Sequence, residues 1–187
     1  MQTLRLLFAA ALLAALLWAG ARPVGPLPPL RPLLDPWAGA WRLSGDAVPP
    51  TELDVIIPTL EGPVEVRIDI RGVPHVFASS ETDAWRAQGY LVARDRLFQM
   101  NLQTRATAGR LTEWVGGRAL EADRESRRLG LARAAERQWA ALAADDPSRR
   151  AMEAYAEGVN AWIDGLGLAN RPMEYRLLGV VPDRWEP

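Results

Sequence analysis

Apolar and polar positions alternate strictly from residue 64 to residue 70. Val64, Val66, Ile68 and Ile70 are interleaved with Glu65, Arg67 and Asp69. A period of two puts the apolar set on one face of a strand. Arg71-Gly72-Val73-Pro74 interrupts the pattern and His75-Val76-Phe77 resumes it, which predicts two strands joined by a tight turn between Pro63 and Ala78. At Ser80 the period changes. Ser80-Glu81-Thr82-Asp83 is a capping arrangement, with a hydroxyl to accept a backbone N–H and an acid near the positive helix end. Residues 89 to 116 then read as one amphipathic helix. Leu97, Met100, Thr104, Ala108, Leu111 and Val115 form its apolar face, Arg96, Arg105, Arg110 and Glu113 occupy other faces, and Gly116-Gly117 closes it. A further helix is expected over Leu131 to Ala143. Asp146-Pro147 supplies a cap residue and a proline at the first helical position. The helix it opens carries Met152, Tyr155, Ala156, Val159, Ile163 and Leu166 on one side, and Gly165 and Gly167 mark its end. The last stretch, MEYRLLGVVPDRWEP, is less regular, and no internal repeat is present. The fold class this predicts is α+β, mostly helical, with a β-hairpin near residues 63–78.

The amino terminus has its own pattern. After Arg5 the run from Leu6 to Ala21 has no charge. It is short for a membrane span, which needs about 20 apolar residues. It fits the apolar part of a signal peptide, and Ala19-Gly20-Ala21 matches the small-x-small pattern before a cleavage site. The alternatives are an uncleaved membrane anchor through residues 4–21, or a buried core helix. In both of the first two cases the rest of the chain is exported, periplasmic or anchored facing the periplasm. Residues 22–50 form a linker. Its first part, RPVGPLPPLRPLLDP, is proline-rich and expected to be extended and semi-rigid. Trp37 and Trp41 follow, placed either at a membrane interface or docked on the folded body. The division expected is therefore 1–21 signal or anchor, 22–50 linker, and 51–187 folded domain.

Composition removes several kinds of chemistry. The 187 residues contain no cysteine, so disulfides, thiolate catalysis and cysteine metal sites are excluded. His75 is the single histidine, which makes an all-protein zinc site a poor fit. Net charge is −1, and the 22 basic residues, all arginine, alternate with acids. Nucleic-acid binding needs a basic stripe that is not there. The serines are Ser44, Ser79, Ser80, Ser126 and Ser148, and none lies in a Gly-x-Ser-x-Gly elbow. Ser80 and Ser148 belong to helix starts, and Ser126 sits in a charged run. His75 follows Pro74 and reads as a structural histidine, because no serine or acid has a defined relation to it. Asp145-Asp146 is a weak carboxylate pair in a cap. Glu121, Asp123 and Glu125 lack the glycine and spacing of a calcium loop. Phe98 and Met100 read as core rather than ligand pocket. No catalytic, substrate-binding or metal residue is assigned.

Five stretches in order are similar to the opening of the penicillin acylase family: VEVRIDIRGVPHVFA, AQGYLVARDRLFQMNLQTRATAGRLTEWVGG, DRESRRLGL, AYAEGVNAWIDG and LLGVVPDRWEP. PLLDPWAGAW also resembles a segment upstream in membrane-associated members. The likeness spans about Pro32 to Pro187. One departure is Arg94, where Gln is usual before Asp-Arg.

The resemblance implies an N-terminal nucleophile hydrolase with an αββα core, of which residues 51–187 are the amino-terminal, small-chain part. Such proteins are precursors that cut themselves into a small and a large chain. The new amino-terminal Ser of the large chain attacks an amide carbonyl, with its own α-amino group as base and oxyanion donors from the same chain. The residues of the acyl pocket, and the small-chain ligand to a calcium ion, follow the Arg-Trp-Glu-Pro block, so none is carried over here. The expectation is a fragment, inactive alone, whose partners are a large acylase chain and, in the complete enzyme, a small amide substrate. No cofactor is expected in this chain; family members often bind calcium, which the resemblance leaves open for the complete enzyme. Substrates in the family include penicillin-type β-lactams and acyl-homoserine lactones. The competing expectation is a non-catalytic exported helical module that binds a protein partner.

Overall fold

The structure is a computed structural model describing residues 2–22, 29–35, 39, 54–167 and 170–187. Its elements are α1 (Gln2–Gly20), α2 (Arg31–Leu34), β1 (Glu65–Ile68), β2 (Pro74–Phe77), α3 (Glu81–Ala108), α4 (Thr112–Val115), a 3₁₀ turn (Gly116–Ala119), α5 (Leu120–Leu129), α6 (Leu131–Ala141), α7 (Pro147–Asp164) and α8 (Met173–Leu178). They divide into two compact units. One comprises Met1–Leu53 with Arg171–Val180, the other Asp54–Asn170 with Val181–Pro187. Among the described residues, mostly helical structure with one small antiparallel sheet is the predicted α+β class.

In the first unit, α1 leaves Leu6, Leu7, Phe8, Leu12, Leu13, Leu16, Leu17 and Trp18 exposed. The Arg22 guanidinium lies 3.8 Å from the centre of the Trp18 ring. Among the described residues no helix is long and apolar enough to cross a membrane. Helix α2 packs against α8. It corrects the expectation that residues 22–36 are extended throughout. Pro32 falls in the first turn of α2, where its fixed φ suits a helix and its missing N–H would have had no partner. Trp37 and Trp41 lie outside the described residues.

In the second unit the hairpin forms as predicted, with Glu65 opposite Phe77, Val66 opposite Val76, Arg67 opposite His75 and Ile68 opposite Pro74. Asp69 Oδ1 accepts from the N–H groups of Arg71 (2.8 Å) and Val73 (2.9 Å), while Gly72 takes φ +78°, so the turn is closed by one aspartate and one left-handed glycine. Strand β2 leans on α3. Val66 and Ile68 on β1 remain exposed, as does Ile70 in the turn.

Ser80 caps α3 as expected, its Oγ accepting from Asp83 N–H. The helix does not run to residue 116. It ends at Ala108 because Gly109 adopts φ +67°, and α4 is a separate turn closed by Gly116. A Cβ at Gly109 would press on the Asp123 carbonyl at 2.5 Å and the Arg127 side chain at 2.6 Å. The backbone thus reverses at the one residue that tolerates both the dihedral and the crowding. The apolar face also shifts. Ala87, Leu91, Leu97, Asn101 and Arg105 are buried along α3, whereas Thr104 and Val115 are exposed. Arg105, expected on an outer face, is 7% exposed.

Helices α3 and α7 form the core. Asp146 caps α7, accepting from Ser148 N–H at 2.7 Å, with Pro147 in the first turn. A Cβ on Gly158 would collide with the Arg86 carbonyl, and one on Gly89 with the Tyr155 carbonyl. Residue numbers rise along one helix as they fall along the other, so the pair is antiparallel, and glycines let the two backbones meet. Val159 and Ala156 are buried on α7, but Met152, placed on the same face by its spacing, is exposed.

Candidate functional site

Three buried carboxylate or guanidinium groups organise the second unit. The first is Asp83, 1% exposed. Its oxygens accept from Glu61 N–H (3.1 Å), Gly62 N–H (3.1 Å) and Arg86 Nη1 (2.9 Å). Burial opposes the charge, but the hydrogen bonds from Glu61, Arg86 and Gly62 outweigh it and hold the carboxyl below the usual range. Arg86 also reaches Glu157 on α7 at 2.7 Å. Arg86, held by Asp83, therefore ties the loop before the hairpin to both long helices.

The second is Asp123 on α5. It accepts from Leu111 N–H (2.9 Å), Thr112 N–H (2.7 Å) and the Thr112 hydroxyl (2.5 Å). It satisfies the first N–H groups of α4 from a distance, as a cap residue would locally. Burial opposes its charge and the Thr112 and Leu111 donors prevail, so its carboxyl is also held low.

The third is Arg105. Its Nε and Nη2 bind the two oxygens of Asp183 at 2.5 and 2.6 Å, and its Nη1 binds Glu113 Oε2 at 2.6 Å. Its face lies 4.4 Å from the centre of the Trp114 ring, which stacks on Phe98 at 5.7 Å. Glu113 also receives Arg110, and these two guanidinium groups, Arg110 first, pull its carboxyl down to about 2. Asn101 Oδ1 accepts from Asp183 N–H at 3.0 Å. The result is a buried guanidinium paired with two part-exposed carboxylates, in a cluster that joins α3, α4 and the segment 181–187.

The candidate residues for chemistry are dispersed among structural roles. His75 sits on β2 with Nε2 3.6 Å from Asp69 Oδ2 at the turn, so the histidine's acidic neighbour is the turn aspartate. Ser80 caps α3. Ser148 starts α7, its N–H on Asp146. Ser126 lends its carbonyl to Gly130 N–H at the end of α5. Ser44 lies outside the described residues. Phe98 is a stacking partner of Trp114. Asp145 is exposed and Asp146 is a cap. The triplet Glu121, Asp123 and Glu125 does not converge: Glu121 pairs with Arg124 at 2.6 Å, Glu125 with Arg128 at 2.9 Å, and Asp123 faces the backbone of α4. Its oxygens are committed, so it does not fit a calcium ion. Among the described residues no group of three or more His, Cys, Asp or Glu side chains is placed to hold a metal. An open hollow of about 270 Å³ is lined by Thr112, Glu113, Leu120, Asp123, Arg124 and Arg127. Its hydroxyl points at Asp123, its acids are paired, and it holds no nucleophile–base pair. Sequence reasoning missed Arg105, Asp83 and Asp123 as organising residues. Their partners stand 78, 22 and 12 positions away, beyond any local pattern.

A family model described as penicillin amidase matches residues 63–187. The chain is 45% identical over 141 residues to "Penicillin acylase 2 proenzyme" of Pseudomonas sp. (strain SE83), covering 75% of this chain and 18% of that one. It is 37% identical to a penicillin G acylase of Escherichia coli, over 66% of this chain and 15% of that protein. It is 38% identical to the acyl-homoserine lactone acylase QuiP of Pseudomonas aeruginosa, over 76% and 16%. The chain thus spans under a fifth of the length of these relatives. Among solved structures, a thermostable penicillin G acylase from Alcaligenes faecalis matches with a TM-score of 0.56 at 34% identity, covering 66% of this chain and 65% of that chain. The family match over residues 63–187 and these relatives show that the chain belongs to the penicillin amidase family.

Proposed function

We propose that this chain is the amino-terminal, small-chain part of an exported acylase that hydrolyses a carbon–nitrogen amide bond. In this reading the nucleophile is the amino-terminal Ser of a large chain, activated by its own α-amino group. The small chain supplies scaffold: α3 and α7 as a closely packed pair, and a hairpin whose apolar face awaits cover. The substrate is a penicillin-type β-lactam side-chain amide or an acyl-homoserine lactone, the two classes named in the relatives. The observation that carries the reading is the coverage. The family match fills residues 63–187, yet this amounts to 15% to 18% of each of the three relatives. The commitment of Asp83, Arg105 and Asp123 to internal contacts supports a scaffold role as well. Any calcium in the complete enzyme would take its ligands from residues other than Glu121, Asp123 and Glu125.

Export rests on the apolar, exposed α1 and on Ala19-Gly20-Ala21, with cleavage after Ala21. Amino-terminal sequencing of periplasmic material should begin at Arg22. Recovery of the intact chain in the cytoplasm counts against export. Activity is tested by incubating the chain with penicillin G and with an acyl-homoserine lactone, alone and together with a separately expressed acylase large chain that begins at its Ser. Turnover is expected only in the mixture. Turnover by the chain alone, surviving replacement of all five serines, sinks the reading.

A further inference from the structure

Residues 181–187 have no regular secondary structure, yet they are tied down at alternate positions. Asp183 N–H donates to Asn101 Oδ1 on α3 at 3.0 Å, and the Asp183 carboxylate receives Arg105. Two residues on, Trp185 N–H donates to Asn160 Oδ1 at 2.9 Å, and Asn160 Nδ2 donates back to the Trp185 carbonyl at 2.9 Å. Asn160, on α7, offers Trp185 the donor and acceptor that a neighbouring strand would offer. Between these anchors Arg184 reaches Asp164 at 2.5 Å, with both side chains more than half exposed. The segment is a strap laid across the two long helices.

Its anchors differ in kind. Asn101 and Asn160 make neutral hydrogen bonds that set register. The Arg105–Asp183 contact is bidentate and charge-assisted, roughly twice as strong as a neutral bond. Arg105 also keeps two contacts that do not involve the strap, Glu113 at 2.6 Å and the Trp114 ring. Removal of the Asp183 carboxylate therefore leaves Arg105 paired. The strap can let go at one side chain without stranding a buried cation.

We propose that residues 181–187 form a docked strap with Arg105–Asp183 as its catch, so that loss of this one ion pair frees the strap while the α3–α7 pair stays folded. Arg105 is a positioning residue in this scheme: it holds the strap in place and performs no chemistry. The inference stands apart from the acylase reading, since it concerns only contacts within this chain.

Hydrogen exchange on the full chain, kept dispersed with detergent, tests it. In the unmodified protein the amides of Asp183 and Trp185 should be protected. In Asp183→Ala the Trp185 amide should exchange about tenfold to a hundredfold faster, the equivalent of one lost charge-assisted bond, while amides inside α3 and α7 keep their rates. Asp183→Glu restores a carboxylate and should recover part of the protection. Arg105→Lys keeps the charge but not the two-pronged geometry, and should also release the strap. An unchanged Trp185 rate in Asp183→Ala overturns the proposal, because the asparagines alone would then hold the strap. A parallel rise in α3 and α7 overturns it equally, because the strap would then be inseparable from the core. Should the Arg105 variant fail to fold, the two Asp183 variants still decide the matter.

Discussion

A single guanidinium illustrates how residue-scale chemistry departs from pattern. By spacing Arg105 lies off the apolar face, and in the fold it is buried because two carboxylates and an indole surround it. The electrostatic consequence falls on Glu113. Arg110 and Arg105 lower its carboxyl from an ordinary 4.5 to about 2. A depressed folded value means that its contribution is complete above the unfolded value, and is lost as pH falls through the folded one. The stability difference between the native protein and Glu113→Gln should therefore be constant above about pH 5 and close between 4.5 and about 2. Urea denaturation at a series of pH values measures it. A gap that closes instead near neutrality would mean that another group is responsible. His75 gives the opposite lesson. It is the residue a reader reaches for first, and its neighbours are a turn aspartate and the opposite strand.

At the scale of elements, the decisive contact is the α3–α7 crossing. Backbones approach so closely at Gly89 and Gly158 that a methyl group on either would meet a carbonyl of the other helix. Gly158→Ala is expected to cost about 1–3 kcal/mol, because the added carbon forces the helices apart, even though alanine is the better helix former. Gly117→Ala is the control. Nothing lies within 4 Å of the position a Cβ would take there, so the change should stay within about 0.5 kcal/mol. Urea midpoints of the two variants, measured side by side, test the crossing, and equal midpoints would refute the close packing. The same scale explains the divided helix. Periodicity runs smoothly through residues 89 to 116, but Gly109 turns the chain where Asp123 stands ready to cap a second helix.

The whole molecule leaves apolar surface without cover. Val66 and Ile68 on β1, Ile70 in the turn and Ile56 before the hairpin are all exposed. A two-stranded unit is marginal by itself, and a few hundred Å² left in water forgoes several kcal/mol at about 25 cal/mol per Å². In this chain, therefore, Ile70→Arg should change stability by no more than about 0.5 kcal/mol, since the side chain it removes is in solvent already. It should lower binding of a hydrophobic dye. If the proposed large chain covers this face, the same variant should weaken assembly with it. Thermal melting, dye fluorescence and co-purification provide the three readings. A loss of several kcal/mol in the chain alone would show that the hairpin face is already packed.

Local pattern and tertiary contact divide the fold between them. The sequence by itself determined the hairpin, the Ser80 and Asp146 caps, the position of α7 and the family. Each depends on neighbours within a few positions or on an ordered string of motifs. Periods of two and of 3.6 and the side chains of a cap are local properties, readable without the fold. Only the tertiary structure decided where α3 stops, which face of it is buried, and why Asp83, Asp123 and Arg105 carry charge inside. Gly109 is needed at the turn because Asp123 and Arg127 leave no room for a Cβ, and Gly89 and Gly158 matter because they meet each other's helices. Arg105 is buried because Asp183 arrives from 78 residues away. Spacing cannot report such contacts, since the free energy of a buried ion depends on partners that are brought to it only when the chain has folded.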